Sequence, residues 1–310
     1  MPKISVVIPL FNKGFSIKRT IESVLTQNFT DFELLIVNDG STDNSCSVVK
    51  TFTDYRIHLI HQENKGAAAA RNLGIEKATS SLIAFLDADD FWKTNHLSEL
   101  YKLYLDFPDC AIYCSRYTTK MAKNLYVKTN LLDITDDYRG IITDFFKSSY
   151  VNRVATTSSV LLSKKILIQH NGFDTAISSG QDLDLWIRLA IDNKVAINNV
   201  VSAIYEYQIP NSLSKTKITH KTLPDFSQFK IAEQKNESLK KFLDLYRIEY
   251  GLHFRIYGEV KKSNSYLKDV TTTIPFKTKV LLKMPPFILQ KLLQAKHWLR
   301  SKGIDFTVYH

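Results

Sequence analysis

Cysteine is scarce in this chain of 310 residues: Cys46, Cys110 and Cys114 are the whole set. An odd, sparse set excludes a disulfide framework. The Cys110 and Cys114 pair lacks the second pair that a zinc site needs, so buried reduced thiols are expected. Long apolar runs are missing as well. No stretch approaches the roughly 18 residues that span a bilayer. Met1-Pro2-Lys3-Ile4-Ser5 enters a strand at once, with no room for a signal peptide, and a cytoplasmic protein is the expectation. Internal repeats and low-complexity tracts are absent. Acidic residues are outnumbered, 31 against 41 Lys and Arg, and the net charge of +10 points to an anionic partner: nucleotide, nucleic acid or membrane surface. The remaining composition, 44% hydrophobic and 23% charged, is ordinary globular usage, in a length that suits one large domain with an appendage or two domains.

What is present is an alternation of strand and helix signals. Ile4-Ser5-Val6-Val7-Ile8-Pro9 reads as a strand, and Ile17, Ile21, Val24 and Leu25 fall at helical spacing. Phe32 to Asn38 is a second strand, Arg56 to His61 a third and Leu82 to Leu86 a fourth. Gly66 opens a helix-prone run, Ala67-Ala68-Ala69-Ala70-Arg71, between the last two. Repeated β-α-β units predict a parallel sheet covered by helices on both faces. Ala111 to Ser115 reads as another strand, while Arg116 to Ser149 shows no clean period. Thr156 to Leu162 and Val195 to Tyr205 resume strand, with a helix after Gly180 carrying Leu183, Trp186, Ile187, Leu189 and Ala190. From about Ser214 the chain is helical and rich in Lys and aromatics, which predicts a boundary near residue 215.

Carboxylates stand where this pattern delivers the chain to solvent. Asp87-Ala88-Asp89-Asp90 follows directly on the fourth strand. Ligands of open α/β sheets bind at such carboxyl ends. Residues two apart in an extended segment point the same way, so Asp87 and Asp89 can face one bound group together. Two hard oxygen donors of this kind suit a divalent cation that also holds phosphate oxygens. Asp39 closes the second strand and can accept hydrogen bonds from a nucleobase or a ribose. Asp182, at a helix start, is favoured as an anion by the exposed amides there and can serve as a general base. If the strands share one sheet, the three sites line a common edge.

The motifs in their order resemble the family 2 inverting glycosyltransferases. The residues concerned are Ser5-Val6-Val7-Ile8-Pro9-Leu10-Phe11-Asn12, Val37-Asn38-Asp39-Gly40-Ser41-Thr42-Asp43, Asn64-Lys65-Gly66-Ala67-Ala68-Ala69-Ala70-Arg71-Asn72 and Leu86-Asp87-Ala88-Asp89-Asp90. Gly172-Phe173-Asp174 with Gly180-Gln181-Asp182-Leu183-Asp184-Leu185-Trp186 resembles the acceptor-side motif. The likeness covers roughly residues 3–215. It implies a GT-A nucleotide-sugar fold: a Rossmann-like, mostly parallel sheet flanked by helices, here with a helical C-terminal extension. It implies a nucleotide-binding half over 1–115, an acceptor side over 116–215, and transfer of a single sugar from a UDP-linked donor in surface-glycan or lipid-linked glycan synthesis. By position it puts Pro9, Phe11 and Asn12 beside the nucleotide, Asp39 on the base, Arg71 near base or phosphates, and Asp87 on ribose or donor sugar. Asp89 would coordinate Mn²⁺ or Mg²⁺, and Asp182 would be the catalytic base. The chain departs from the pattern with Gln181 where many relatives have Glu. Gln208 and Pro210 stand near a histidine that many relatives carry, so no role of that histidine is carried over. The Gln-x-x-Arg-Trp signature of processive synthases is missing.

Two other readings stay open. A nucleotidyltransferase would share the sheet and a metal carboxylate, but would open with a Gly-rich basic loop that Pro9-Leu10-Phe11-Asn12-Lys13-Gly14 scarcely resembles. A catalytically inactive sugar-nucleotide or membrane-binding module would not require Asp39, Asp89 and Asp182. The segment 277–302 carries seven Lys or Arg and no Asp or Glu. There Ile288, Leu292, Ala295 and Leu299 fit one helical face, flanked by Phe287, Leu289, Leu293 and Trp298. Such a helix suits an anionic membrane surface at the inner face of the cell membrane, or packs on the catalytic domain. No nucleic-acid module is present.

Overall fold

The computed structural model describes residues 1–122, 124–207 and 216–301. The departure at Gln208 and Pro210 lies outside them. The first half is β1 (Ile4–Leu10), α1 (Ile17–Leu25), β2 (Phe32–Asp39), α2 (Ser45–Val49), β3 (Ile57–Gln62), α3 (Ala67–Lys77) and β4 (Leu82–Phe85). Then come β5 (Phe91–Trp92), α4 (His96–Asp106), β6 (Cys110–Ala122), β7 (Leu125–Lys128), β8 (Gly140–Ile141), α5 (Phe145–Ser148), β9 (Val160–Ser163), α6 (Lys164–Gln169), α7 (Gln181–Asp192) and β10 (Lys194–Glu206). The C-terminal helices are α8 (Lys230–Lys235), α9 (Glu237–Ile256), α10 (Val260–Leu267), α11 (Phe276–Lys283) and α12 (Pro286–Ser301).

The strands form one mixed sheet in the order β3-β2-β1-β4-β9-β6-β10-β5, with β7 on β6 and β8 on β10. β1, β2, β3 and β4 run parallel, as the β-α-β pattern predicts. β9 is the exception, since it lies antiparallel between β4 and β6. That reversal positions the site. It sets the amino end of β9 beside the carboxyl end of β4, and leaves β4, β6 and β10 pointing the same way. The unpatterned stretch after Arg116 begins as a continuation of β6, which turns back through β7.

Side chains alternate along β1, so the strand feeds two cores. Ile4, Val6 and Ile8 pack under α1 and α4, with Ile21, Leu97 and Leu100. Val7 faces the other way, with Phe85, Phe173, Trp186 and the helix residues Phe242 and Tyr246. α3 lies against β1 at a glycine: a Cβ on Gly74 would stand 2.3 Å from Val7 Cγ1. The change of character near residue 215 coincides with no break in packing, because Phe226, Leu239, Tyr250 and Phe254 belong to the same core as the sheet. The tail departs from expectation in its packed face. Leu289 is buried with Leu252, Ile256 and Leu282, and Leu293 packs beside them. Leu292 is exposed instead, as are Phe276 and Phe287. The helix turns its flanking leucines to α9 because that is where an apolar partner waits.

Candidate active site

The carboxyl ends of β1, β2 and β4 bring the first motifs together. Asn12 takes a left-handed backbone, with φ of 50°, so that its Oδ1 accepts from the amide of Thr42 at 2.8 Å while its own amide donates to Ser41 Oγ. The turns after β1 and β2 are thus tied to each other. Phe11 beside it is 43% exposed, an aromatic surface at the sheet edge, and Pro9 sits within β1 opposite Val37. Asp39 is buried. Its Oδ1 accepts from Gln62 Nε2 at 2.6 Å and the Lys65 amide at 2.8 Å, and its Oδ2 from the Gly66 amide at 2.9 Å. The visible work of Asp39 is to hold the entry to α3, where Gly66 supplies a φ of 88° that a side chain would resist.

Each carboxylate after β4 has its own partner. Asp87 Oδ1 accepts from Arg71 Nη2 at 2.6 Å. Arg71 is buried, and its Nε and Nη1 have no partner among the described residues. Asp89 Oδ2 accepts from Lys13 Nζ at 2.6 Å. Burial pushes the Asp89 carboxyl above its ordinary range, against the pull of Lys13 and with the charge of Asp87 adding to the push. Asp90 turns inward instead. It accepts from Ser158 Oγ at 2.6 Å and from the Glu206 amide at 3.1 Å. Burial, then Asp89 and Asp87, drive its carboxyl well above the usual range. Both partners are in reach because β9 runs antiparallel and β10 ends at the same edge. Ser158 also accepts from the Asp87 amide, and its carbonyl from Trp92 Nε1 at 2.7 Å.

Asp87 and Asp89 fit a divalent cation in a particular way. Each carboxylate uses one oxygen on a cation side chain and has a second with no hydrogen bond among the described residues. No cluster of three or more His, Cys, Asp or Glu side chains suited to a metal occurs among the described residues. The donor set is therefore not a self-sufficient cage. It suits Mg²⁺ or Mn²⁺ held by one or two carboxylates together with substrate phosphates.

On the acceptor side, Asp182 is the second residue of α7, after Gly180 in the left-handed conformation. It lies in the first turn of a helix rather than at a strand end, so only Asp39 and the Asp87 group share the strand edge. Asp182 Oδ2 accepts from Arg153 Nη1 at 3.2 Å, and Arg153 Nε donates to Tyr246 Oη at 2.9 Å. No hydrogen bond or ion pair among the described residues joins Asp182 directly to Asp87 or Asp89. Arg71, whose guanidinium lies 5.2 Å from the Phe173 ring, and Asn72, which exchanges two hydrogen bonds with the Phe173 backbone, tie the Asp87 turn to Phe173, and Phe173 packs on Trp186 of α7. Asp90 stands in the strand-end motif but carries no assigned role there, and Lys13, Arg153 and Tyr246 carry none in the sequence either. Lys13 adjoins Asn12 and was within reach of a motif reading. Arg153 follows the unpatterned stretch and carries no local signal.

Comparison with known proteins gives a consistent picture. The description "Glycosyl transferase family 2" matches residues 5–170. An uncharacterized glycosyltransferase of Rickettsia felis is 32% identical over 198 residues, covering 62% of this chain and 31% of that protein. YibD of Escherichia coli K12 is 50% identical over 90 residues, 28% of this chain and 26% of that protein. The chain thus spans about a third or less of the length of these relatives. Escherichia coli WfgD, named as a UDP-Glc:alpha-D-GlcNAc-diphosphoundecaprenol beta-1,3-glucosyltransferase, is 27% identical over 275 residues, 85% of this chain and 96% of that protein. Among solved structures, S. aureus TarS in complex with UDP-GlcNAc superposes with a TM-score of 0.62 at 14% identity, over 86% of this chain and 90% of that one. At that identity the likeness shows the fold, a mixed α/β sheet flanked by helices.

Proposed function

The chain belongs to the family Glycosyl transferase family 2, and on that premise we propose that it transfers a single sugar from a UDP-linked donor to a hydroxyl of a glycan or lipid-linked acceptor, with inversion at the anomeric carbon. The observation that carries this reading is the sheet edge that brings Phe11, Asn12, Asp39, Arg71, Asp87 and Asp89 together, with Asp87 on the Arg71 guanidinium and Asp89 on the Lys13 ammonium. WfgD, as its name states, acts with a UDP-sugar on a diphosphoundecaprenol-linked sugar, and TarS was crystallised with UDP-GlcNAc. WfgD supports both the donor and the acceptor class, and TarS the donor class.

In this reading Phe11 and Asn12 bound the nucleotide. Asp39, already fixed by three hydrogen bonds, presents a rigid acceptor to the base, and Asp87, held by Arg71, meets ribose or donor sugar. Asp89 holds Mn²⁺ or Mg²⁺, which when bound offsets the negative charge of the diphosphate. Asp182 accepts the proton of the acceptor hydroxyl as its oxygen bonds to the anomeric carbon. The bond from that carbon to the diphosphate oxygen breaks, and the electron pair leaves with UDP. The donor side is residues 1–115 and the acceptor side 116–215, extended by α9 through Tyr246. The basic tail holds the protein at the inner face of an anionic membrane; no helix among the described residues is long and apolar enough to cross one.

The test is UDP release from a panel of UDP-sugars with Mn²⁺, with and without acceptor glycans. Release that depends on Asp89 and Asp182 supports the proposal. Formation of a nucleotide-sugar from a sugar phosphate would identify a nucleotidyltransferase, and no UDP binding at all would leave an inactive module.

A further inference from the structure

Two arginines near the acceptor side, Arg188 and Arg247, each bond through more than one nitrogen of the fork. Arg188 donates from Nε to Asp184, from Nη1 to the His170 carbonyl and from Nη2 to the Gly172 carbonyl. Arg247 spans Glu233 and Asp244 with both terminal nitrogens. Arg153 engages only one of its two terminal nitrogens. Nε is fixed by Tyr246 at 2.9 Å, and Cζ lies 5.5 Å from that ring. The backbone carbonyl of Arg153 is held by Tyr117 Oη at 3.1 Å. Nη1 alone meets Asp182, at 3.2 Å, and Nη2 has no hydrogen-bond partner among the described residues. The side chain is 37% exposed, against 20% for Asp182, so a ligand can reach it beside the base.

A guanidinium presenting two parallel N–H edges is matched by an oxyanion with two oxygens, phosphate above all. One carboxylate oxygen at 3.2 Å is a loose substitute. While it lasts, that contact occupies one of the two oxygens with which Asp182 could meet the acceptor hydroxyl. We infer that Arg153 is the receptor for a phosphate carried by the acceptor, and that phosphate binding draws the guanidinium from Asp182 and frees the carboxylate to take the acceptor proton. The guanidinium stays protonated throughout and exchanges one anion for another. The proton of the acceptor hydroxyl passes to Asp182, and the transfer is otherwise as given above. The inference rests on the reading of Asp182 as the base. It narrows the acceptor to a phosphate-bearing glycan, and it gives α9 a part in the site, since Tyr246 keeps Nε anchored as the terminal nitrogens pivot from one anion to the other.

The experiment uses the full chain saturated with UDP and Mg²⁺, so that the donor site is filled. It is titrated calorimetrically with farnesyl phosphate, glycerol 3-phosphate and neutral farnesol. The expected result is binding of farnesyl phosphate and not of farnesol, weakened tenfold or more in Arg153→Ala and partly kept in Arg153→Lys, which retains charge without the fork. Asp182→Asn, which removes the competing carboxylate, should bind the phosphate probe more tightly than the wild type. Comparable affinity for glycerol 3-phosphate would support phosphate recognition whatever carries the phosphate, and a preference for farnesyl phosphate would support a lipid-linked one. Unchanged affinity in Arg153→Ala, weaker binding in Asp182→Asn, or no phosphate binding by the wild type would overturn the inference. Failure of the underlying reading shows separately, as sugar transfer retained by Asp182→Asn.

Discussion

Asp89 and Asp182 differ in what their loss should remove. Asp182→Asn keeps the shape of the acceptor side and the first turn of α7, so donor binding should persist while transfer falls roughly 10²-fold or more, the usual scale for a general base. UDP calorimetry beside a transfer assay checks both halves. Asp89→Ala should abolish most of the gain in UDP affinity that Mn²⁺ brings, and equal affinity with and without Mn²⁺ in the wild type would refute the metal role. His96 gives a residue-level test of pH. Burial, with Trp92 stacked on its ring and Ser202 at 2.8 Å, lowers its imidazole from 6.5 to about 3. The unfolded chain therefore binds a proton below pH 6.5 that the folded chain refuses until about pH 3. The stability that neutral His96 contributes is complete above 6.5 and is lost as pH falls from there towards about 3, by up to about 1.4 kcal/mol per pH unit. Urea midpoints at pH 7.5 and 5 should differ more in the wild type than in His96→Gln.

Among the elements, α3 is set by contact rather than by propensity. Alanine is favoured over glycine in a helix interior by up to about 1 kcal/mol. Gly74→Ala should nevertheless destabilise the protein, because its Cβ would meet Val7 Cγ1 at 2.3 Å inside a filled core. Overpacking of this kind costs about 1–3 kcal/mol. Thermal unfolding of Gly74→Ala alone and combined with Val7→Ala decides the point: the second change should restore part of the loss. The same contact matters to the site, since α3 carries Arg71 and Asn72, which tie the Asp87 turn to Phe173.

At the scale of the whole molecule, the tail packs on the protein and still offers a surface. Leu282 and Leu289 are buried against α9, while Phe276 and Phe287 remain exposed among lysines. Phe276→Ser with Phe287→Ser should lower co-sedimentation with anionic vesicles while leaving the unfolding midpoint and UDP affinity unchanged. Lys277, Lys279, Lys283 and Lys291 replaced by Glu should act more strongly, at about 1 kcal/mol per basic residue near the surface. Wild-type binding should weaken in 1 M salt, where the Debye length is about 3 Å. Failure of the wild type to pellet at low salt would reduce the tail to a brace for α9.

The sequence by itself determined the parallel half of the sheet and the motif residues at its edge. Both follow from local rules: apolar runs of strand length, a glycine that opens α3, and carboxylates at the ends of strands. It also showed a helical C-terminal part, though not that Tyr246 and Phe254 join the central core. Tertiary structure decided the antiparallel insertion of β9, which brings Ser158 to Asp90. It likewise decided the pairing of Arg153 with Asp182, and which leucines of the tail face inward. These are contacts between residues far apart in the chain. Hydrophobic periodicity says that a face will be buried, but the partner that buries it, and the cation that meets a carboxylate, are set only when the layers close on one another.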